Sequence, residues 1–213
     1  MAVGTESTIP YSREQSLLLV GEGDFSFSSA LATVLGRPFE LISTSLDSEG
    51  LVRAKYAQSI KAVSNLKNCG AKIYYDFDAT RNIFSNTQRF DRVIFNFPHA
   101  GYFKKPEWVK SVIFRHQDLI LRFLRNASTM IRSDGEIHVT IQNYDPYNRW
   151  NIAELARKCG LRVKGLPLFD FSSYPGYCNR RGSGRRPGRT FPVRIGGQGR
   201  AVSECLSESF AGL

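Results

Sequence analysis

The chain has 213 residues, of which 42% are hydrophobic and 12% aromatic, and its 29 basic residues outnumber its 19 acidic ones. A chain of this length buries a substantial core, and we find neither an apolar run near the ~20 residues of a membrane span nor a secretory leader. We therefore expect a soluble intracellular protein. Cys69, Cys159, Cys178 and Cys205 form no CxxC pair, which favours reduced thiols and argues against a zinc site.

Apolar runs of strand length alternate along the chain with longer segments of helical period. This alternation predicts an α/β fold, with a mostly parallel central sheet covered by helices on both faces. The predicted strands span residues 17–21, 40–46, 71–75, 92–97, 136–141 and 161–168, and the predicted helices span residues 26–35, 49–68, 107–131 and 150–159.

The first predicted strand leads directly into two glycines in the segment LLLVGEGDFSFSSAL, residues 17–31. A strand, a glycine turn and a helix in this order are typical of the nucleotide-binding crevice of an open α/β sheet. Gly21 and Gly23 would let the backbone turn sharply and approach a ligand, where a Cβ atom would collide. Ser26 and Ser28 are predicted to cap the helix, leaving its N–H groups facing the crevice.

The charge of this loop indicates which ligand it suits. A dinucleotide site normally reads GxGxxG and places pyrophosphate at the helix N-terminus, but this loop lacks the third glycine and contains Glu22 and Asp24. Carboxylates repel pyrophosphate, and they pair well with an ammonium group or with ribose hydroxyls. The loop therefore favours S-adenosylmethionine, which carries a sulfonium and no phosphate, over the cofactor of a nucleotide-dependent oxidoreductase.

Two further aspartates follow the next two predicted strands. Asp47 ends LISTSLD and could bind both ribose hydroxyls, as the acidic residue after the second strand does in dinucleotide folds. Asp78 ends IYYDFD and could accept a hydrogen bond from an adenine amino group. The alternative for each is an aspartate that caps a helix or a turn.

The fourth predicted strand ends unusually, in FDRVIFNFPHAG, residues 90–101. Asn96 offers an amide that matches the edge of an imide, Pro98 fixes the turn, and the ring of Phe97 or His99 could stack on a base. His99 is also the candidate general base. The alternative is that Asn96 satisfies loop backbone groups and Phe97 belongs to the core.

The C-terminal segment is the most basic part of the chain. Residues 175–213 contain seven arginines, no lysine and two acidic residues. Arginine suits bidentate phosphate contacts, so RNA binding is predicted, with a solvated tail as the alternative. The predicted phosphate contacts are Arg180, Arg181, Arg185, Arg186 and Arg189. TFPVRI could form a last edge strand near residues 190–195.

A family resemblance extends over about residues 15–181 and rests on the segments quoted above together with STSLDS, DFDATR, GEIHVTI, PYNRWNIAELA and YPGY. These segments resemble the 25S ribosomal RNA uridine-N3 methyltransferase-like family. The resemblance implies a Rossmann-like class I methyltransferase fold, S-adenosylmethionine as methyl donor and nucleolar action on large-subunit rRNA. The residues implied in donor binding are Gly21, Glu22, Gly23, Asp24, Phe25, Ser26, Asp47 and Asp78. The residues implied in catalysis at the base are Asn96, Pro98 and His99.

We therefore expect a flexible lead-in over residues 1–14, a methyltransferase domain over residues 15–178 and a basic segment over residues 179–213. The expected reaction is methylation of uridine N3 in RNA that is unpaired or flipped out of a helix, with no metal and no membrane involved. The nucleus or nucleolus is the expected location, and the cytoplasm is the second choice. The alternatives are a non-catalytic RNA-binding or ribosome-assembly protein that retains the fold, and a methyltransferase with a small-molecule or protein substrate.

Overall fold

The computed structural model of the chain describes residues 9–36, 40–182, 188–191, 193 and 201–209. The strands within these residues are β1 (Ser16–Val20), β2 (Glu40–Thr44), β3 (Lys72–Tyr74), β4 (Phe90–Asn96), β5 (Ile131–Gln142), β6 (Leu161–Gly165) and β7 (Ala201–Glu208). The helices are α1 (Ser26–Leu35), α2 (Glu49–Lys55), α3 (Ser59–Asn68), α4 (Lys110–Ser128) and α5 (Ile152–Arg157).

The strands form one seven-stranded sheet in the order β3-β2-β1-β4-β5-β7-β6. The pairs from β3 to β5 are parallel, and β7 is antiparallel to both β5 and β6. This arrangement confirms the predicted α/β fold with a mostly parallel sheet. The strand order reverses direction beside β1, so the crevice that such sheets use for ligands lies at the carboxyl ends of β1 and β4.

The side chains of β1 alternate between two hydrophobic clusters, one on each face of the sheet. Leu17 and Leu19 pack with α1, α2 and α3, and Leu18 and Val20 pack with α4 and α5. All five residues of β1 are buried, as expected for a parallel strand that is covered on both faces. The carboxyl end of β1 is therefore held from both sides.

Two elements differ from the sequence expectation near this crevice. The predicted helix 49–68 divides into α2 and α3 around Tyr56, a buried residue whose φ is −135°. The predicted helix 107–131 is shorter, because α4 begins at Lys110 after Pro106 and Ile131 already belongs to β5. The break at Tyr56 turns its ring toward the glycine loop.

The last strand of the sheet, β7, comes from the segment that the sequence analysis separated as a basic tail. It lies between β5 and β6, all eight of its residues pair with one or both of these strands, and the first seven are buried. The expected edge strand near residues 190–195 falls partly outside the described residues, and Thr190 forms only an isolated bridge with Arg180. The sheet therefore extends well beyond residue 178.

All four cysteines are free thiols in the structure. In the part of the chain that the structure describes, every helix is too short or too polar to cross a membrane.

Candidate active site at the carboxyl ends of the strands

The glycine turn after β1 is shaped by two aromatic side chains of the protein. Gly21 has a φ of +68°, and a Cβ atom there would lie 2.3 Å from Cε2 of Phe95. A Cβ atom on Gly23 would lie 3.2 Å from the hydroxyl oxygen of Tyr56. From the sequence, these glycines were expected to make room for a ligand. What they make room for in this structure is the ring of Phe95, on neighbouring β4, and the ring of Tyr56.

The two acidic residues of the loop cap the helix that follows. The backbone N–H of Ser26 donates to Oδ1 of Asp24 at 3.0 Å, and the N–H of Ser28 donates to Oε2 of Glu22 at 3.1 Å. The expectation that Ser26 and Ser28 would cap α1 is therefore wrong, because neither hydroxyl accepts a bond from the first turn. Phe25 turns the chain into the helix with a left-handed φ of 61°.

Capping by carboxylates changes what the helix N-terminus can bind. A phosphate at such a terminus needs free N–H donors and a positive local field. Here two of those donors already bond to the carboxyl oxygens of Asp24 and Glu22, so they are not free to bind a phosphate. The loop is thus unsuited to pyrophosphate, in agreement with the expectation from its charge.

Glu22 is almost completely buried, with 8% of its surface exposed. Burial raises the pKa of its carboxyl group to about 7, and repulsion from Asp24 adds to this, while the hydrogen bonds from Ser28 oppose it. The hydroxyl of Ser28 lies 2.6 Å from Glu22 Oε2 and 2.6 Å from the hydroxyl of Ser43 on β2. Glu22 therefore ties the loop to α1 and β2.

Asp47 lies beyond the end of β2 and is paired with a lysine. Nζ of Lys55 lies 2.8 and 2.7 Å from the two carboxylate oxygens of Asp47, and it also donates to the carbonyl of Gly182 at 3.2 Å. The nearby hydroxyl of Tyr56 has its pKa raised to about 12 by burial and by repulsion from Asp47 and Asp24. Asp47 thus lies close to Tyr56, the residue whose hydroxyl lies beside Gly23, and its role toward the ribose stays a prediction.

Asp78 has the geometry of the alternative role, a turn aspartate. Its Oδ1 accepts hydrogen bonds from the N–H and the hydroxyl of Thr80 at 2.9 and 2.7 Å, and Arg81 lies 3.1 Å from Oδ2. Burial opposes ionisation, but these bonds outweigh it and lower the pKa of Asp78.

The C-terminal segment packs over the glycine loop. The hydroxyl of Ser26 exchanges hydrogen bonds with the backbone of Cys178, at 3.1 and 3.0 Å. Nε of Arg180 lies 3.3 Å from Oδ2 of Asp24, which also accepts a hydrogen bond from Gln58. Asp24 therefore accepts hydrogen bonds from the first residue of α1, from Gln58 just before α3 and from Arg180 of the C-terminal segment.

The predicted RNA-binding arginines do not share one environment. Arg180 pairs with Asp24 and is half-buried, whereas Arg181 and Arg189 are exposed. The backbones of these two exposed residues pair with each other through a hydrogen bond of 2.8 Å. Arg185 and Arg186 lie outside the described residues.

The end of β4 lies directly beside the glycine loop. Val20 pairs with Phe95, so Gly21 and Asn96 follow at neighbouring strand ends, about 5 Å apart in the hydrogen-bonding direction. Oδ1 of Asn96 accepts a hydrogen bond from the hydroxyl of Thr140 at 2.7 Å. The buried Nδ2 of Asn96 has no hydrogen-bond partner among the described residues. One edge of the amide is thus fixed by β5, and its donor edge is left unpaired.

Phe97 and Pro98 continue this strand end. Phe97 has a left-handed φ of 50°, and its ring contacts those of Phe171 and Phe191 at centroid distances of 6.0 and 5.6 Å. Pro98 is buried. Phe97 therefore joins an aromatic cluster that connects β4 to the C-terminal segment, close to the core role that the sequence left open.

His99 is held by a glutamate that the sequence analysis did not identify. Nε2 of His99 lies 3.2 Å from one carboxylate oxygen of Glu107, and Nε2 of the buried His116 lies 3.0 Å from the other. The Nδ1 atoms of the two rings accept backbone N–H bonds from Gly101 and Ala100 respectively.

These contacts define the protonation of the cluster. Because both Nδ1 atoms accept, both Nε2 atoms carry the proton and donate to the carboxylate. Partial burial opposes ionisation of Glu107, but the bonds from His116 and His99 outweigh it and lower its pKa to about 2. Two histidines and a carboxylate could in principle ligate a metal, but this tautomer leaves neither Nε2 lone pair free. The cluster is instead a carboxylate clamp that fixes the loop after β4 onto α4.

The residues that sequence reasoning missed are Thr140, Glu107 and Lys55. Each of them acts on a predicted site residue from another element, and each belongs to a segment whose pattern indicated only a strand or a helix. Their pairing partners lie 44, 8 and 8 residues away along the chain. A short-range signal existed for the latter two, because Glu107 and Lys55 each lie only eight residues from their partner along the chain.

Comparison with known proteins gives three findings. A family model described as BMT5-like, rRNA (uridine-N3-)-methyltransferase BTM5-like, matches residues 18–181. Heavy metal-associated isoprenylated plant protein 41 of Arabidopsis thaliana is 43% identical over 184 residues, which cover 85% of this chain and 36% of that protein. The 25S rRNA (uridine(2634)-N(3))-methyltransferase of Saccharomyces cerevisiae is 27% identical over 229 residues, which cover 81% of this chain and 68% of the yeast protein.

Solved structures share the fold. A putative methyltransferase from Thermoplasma acidophilum superposes with a TM-score of 0.55 at 15% identity, over 94% of this chain and 70% of that one. At this identity the likeness shows the fold alone, which is that of the Rossmann-like methyltransferases. The chain spans little more than a third of the length of the Arabidopsis relative.

Proposed function

The chain belongs to the BMT5-like rRNA (uridine-N3-)-methyltransferase family, and on that basis we propose that it transfers a methyl group from S-adenosylmethionine to N3 of a uridine in large-subunit rRNA. The observation that carries the proposal is the meeting of two strand ends. A carboxylate-capped glycine loop after β1 lies beside an asparagine after β4 whose buried amide nitrogen is unpaired.

The residues of the first strand end fit this methyl donor. S-adenosylmethionine carries an ammonium, a sulfonium and ribose hydroxyls, and it has no phosphate that the carboxylates would repel. The glycine loop with Asp24 would hold its amino-acid end, and Asp47 would hold the ribose. The donor supplies an electrophilic methyl group. The carboxylate oxygens of Asp78 are already bonded to Thr80 and Arg81, so Asp78 would line the donor pocket without a hydrogen bond to the donor.

The second strand end would hold the base. Nδ2 of Asn96 donates to a carbonyl oxygen that flanks N3 of the uracil, and Thr140 keeps the amide in the orientation that allows this. Pro98 fixes the turn. Glu107 accepts the Nε2–H bond of His99 and so holds the tautomer in which Nδ1 is the basic nitrogen. Nδ1 takes the weakly acidic N3 proton when the base displaces the backbone N–H of Gly101 from it. Position and the removal of one proton suffice for this reaction.

Binding to rRNA would involve phosphate contacts from the exposed Arg181 and Arg189, and it implies a nucleolar location. Arg180 has a separate position in this proposal, because its guanidinium already pairs with Asp24 inside the site.

The test is methylation of unmodified large-subunit rRNA in the presence of S-adenosylmethionine, with 3-methyluridine measured by nucleoside mass spectrometry. Asn96→Ala should lower product formation at least tenfold and leave the calorimetric affinity for the donor unchanged, since it removes a contact to the base. Asp47→Asn should weaken donor affinity instead. Asp134→Asn, a change of the same kind at an exposed position on β5, serves as the matched control. Wild-type protein that binds the donor but makes no 3-methyluridine would overturn the substrate.

A second candidate function is a non-catalytic RNA-binding protein that retains the fold. One observation favours it, namely that Asp24 and Asp47 are both ion-paired with cations of the protein, Arg180 and Lys55. Calorimetry separates the two candidates. RNA binding by wild-type protein with no heat of binding for S-adenosylmethionine would support the second.

A further inference from the structure

The loop after β4 and the start of α4 expose three large aromatic side chains. Tyr102, Trp108 and Phe114 are 47%, 63% and 66% exposed. Isolated exposed aromatics are common on protein surfaces, but these three lie within thirteen consecutive residues that begin three residues after His99.

Five exposed cations lie in the same stretch of the chain as these rings or on the following turns of α4. Lys104, Lys105, Lys110, Arg115 and Arg122 are all exposed. The acidic residues of the same segment are engaged within it: Glu107 by the two histidines, and Asp118 by Arg122 at 3.9 Å. The segment therefore presents a net positive surface. We call Tyr102, Trp108 and Phe114, with the five cations just named, the aromatic–basic face.

A groove lies along the part of this face that belongs to α4. It has a volume of about 850 Å³, and its lining includes Ala100, Phe103, Lys110, Phe114 and Arg115. The guanidinium of Arg115 lies 4.9 Å from the centroid of the Phe103 ring in a cation–π contact, so the groove combines an aromatic ring with a positive charge. Ala100 directly follows His99, so the groove starts at the proposed site of the target base and leads away from it along α4.

We propose that the aromatic–basic face binds the single-stranded RNA next to the target uridine. The lysines and arginines contact phosphates, and Trp108 and Phe114 stack on bases that flank the target. This combination of a positive groove with aromatic platforms is the general chemistry of single-strand binding. Charge complementarity selects RNA over a second copy of this chain, since two net positive faces repel each other. The inference rests on the proposed function for the identity of the base that enters the site.

Stacking and phosphate contact have different experimental signatures. Loss of a stacking ring weakens binding by about tenfold per base and does not depend on salt. Loss of a phosphate contact on single-stranded nucleic acid lowers the slope of log affinity against log salt by about 0.7. The two parts of the face can therefore be measured separately on one ligand.

The experiment measures binding of a fluorescent, unstructured, uridine-rich 12-nucleotide RNA by anisotropy at several salt concentrations, without S-adenosylmethionine. We expect Trp108→Ala and Phe114→Ala each to weaken binding about tenfold with an unchanged salt slope. Lys104→Gln combined with Lys105→Gln should lower the slope by about 1.4, for two phosphates. Urea unfolding midpoints should stay at the wild-type value, because these side chains are exposed.

Matched controls come from α3 on the other face of the sheet. Ile60 is 59% exposed and lies with Lys61 beside a different groove. Ile60→Ala and Lys61→Gln should leave both the affinity and the salt slope unchanged.

Two results would overturn the inference. One is that Trp108→Ala and Phe114→Ala bind RNA as tightly as the wild type. This includes the case in which Trp108→Ala converts a dimer to a monomer in sedimentation, which would assign the face to a second copy of the chain. The other is a loss in the Ile60→Ala and Lys61→Gln controls as large as that in the Trp108 and Lys104–Lys105 variants. Because binding is measured without donor or turnover, failure of methylation leaves this result standing, and failure of RNA binding does not by itself remove donor binding.

Discussion

The two strand ends that meet at the site differ in how their polar groups are satisfied. After β1, the carboxylates of Glu22 and Asp24 accept hydrogen bonds from α1, and Asp24 also accepts bonds from Gln58 and Arg180. After β4, Asn96 has one edge of its amide fixed and a buried nitrogen without a partner among the described residues. Among the described residues, the strand end proposed to bind the methyl donor, which we call the donor side, has its carboxyl groups hydrogen-bonded within the protein. The strand end proposed to bind the base, which we call the base side, keeps an unpaired amide nitrogen.

This difference indicates at which strand end a bound ligand gains the most free energy from new hydrogen bonds. A buried donor without a partner costs about 1–3 kcal/mol, and a substrate carbonyl that accepts its bond recovers that cost. On the donor side a ligand has to share or replace contacts that the chain already makes. Substitutions on the donor side should therefore act mainly on stability, and substitutions on the base side mainly on turnover.

The largest expected effect is on the contact that joins the two sides. Gly21→Ala places a methyl group against the ring of Phe95 at a left-handed φ of +68°, and it should destabilise the protein by about 2–4 kcal/mol in urea unfolding. Gly36→Ala is the matched control, because Gly36 has a φ of +60° and open space around its Cβ position. Its cost should stay near 1 kcal/mol. Equal costs for the two would show that the contact with Phe95 has no energetic importance.

The next effect is a pH dependence that separates the two sides. The folded-state pKa of Glu22 is about 7, above the ordinary 4.5, so the folded state binds the proton more tightly than the unfolded state does. Its contribution to stability is complete below pH 4.5 and is lost as the pH rises through 7. The wild-type free energy of unfolding should therefore fall by about 2 kcal/mol between pH 5 and pH 7 because of this group.

Glu22→Gln should remove that part of the decline, and a variant with the wild-type slope would contradict the assignment. Glu204 on β7 is the control, because burial raises its pKa to about 7 as well and Glu204→Gln should remove a separate slope of the same sign. Glu107 on the base side has a folded pKa of about 2, so its contribution is present above pH 4.5 and is lost as the pH falls toward 2. The two sides thus lose stability in opposite directions of pH.

The smallest expected effect is on kcat and concerns the base side alone. Thr140→Val removes the hydroxyl that fixes Asn96, and it should lower kcat for 3-methyluridine formation about tenfold, equivalent to about 1.4 kcal/mol, with the affinity for S-adenosylmethionine unchanged. Ser203→Ala removes the other hydrogen-bond partner of Thr140, at 2.9 Å, and leaves the bond to Asn96 in place. Loss of turnover in Ser203→Ala equal to that in Thr140→Val would mean that the hydroxyl acts on the packing of β5 and β7 rather than on Asn96.

Much of the fold could be predicted because its signals are local. Each predicted strand overlaps one of β1 to β6, since buried parallel strands appear as apolar runs between turn residues. β7 has the sequence AVSECLSE, with polar residues among the apolar ones, and no run marks it. It is a strand because β5 and β6 supply hydrogen-bond partners on both sides, which depends on residues 40 to 70 positions away.

The site residues also divide into features that could be predicted from the sequence and features that could not. The rule that the carboxyl ends of parallel strands share one edge of the sheet places Gly21, Asp47 and Asn96 at that same edge. The partner of each side chain does not follow from any such rule. Asp24 meets Arg180, 156 residues away, only because the C-terminal segment folds back over the loop.

By itself the sequence determined the α/β alternation, the sharp turn at Gly21 and the presence of carboxylates where a phosphate would otherwise bind. These follow from period, from backbone freedom and from charge, which are properties of neighbouring residues. Only the tertiary structure decided that Phe95 and Tyr56 fill the space beside the glycines, that Glu22 and Asp24 cap α1, and that Asn96 keeps an unpaired nitrogen. Each of these depends on which distant groups pack together, and packing is settled by the whole chain.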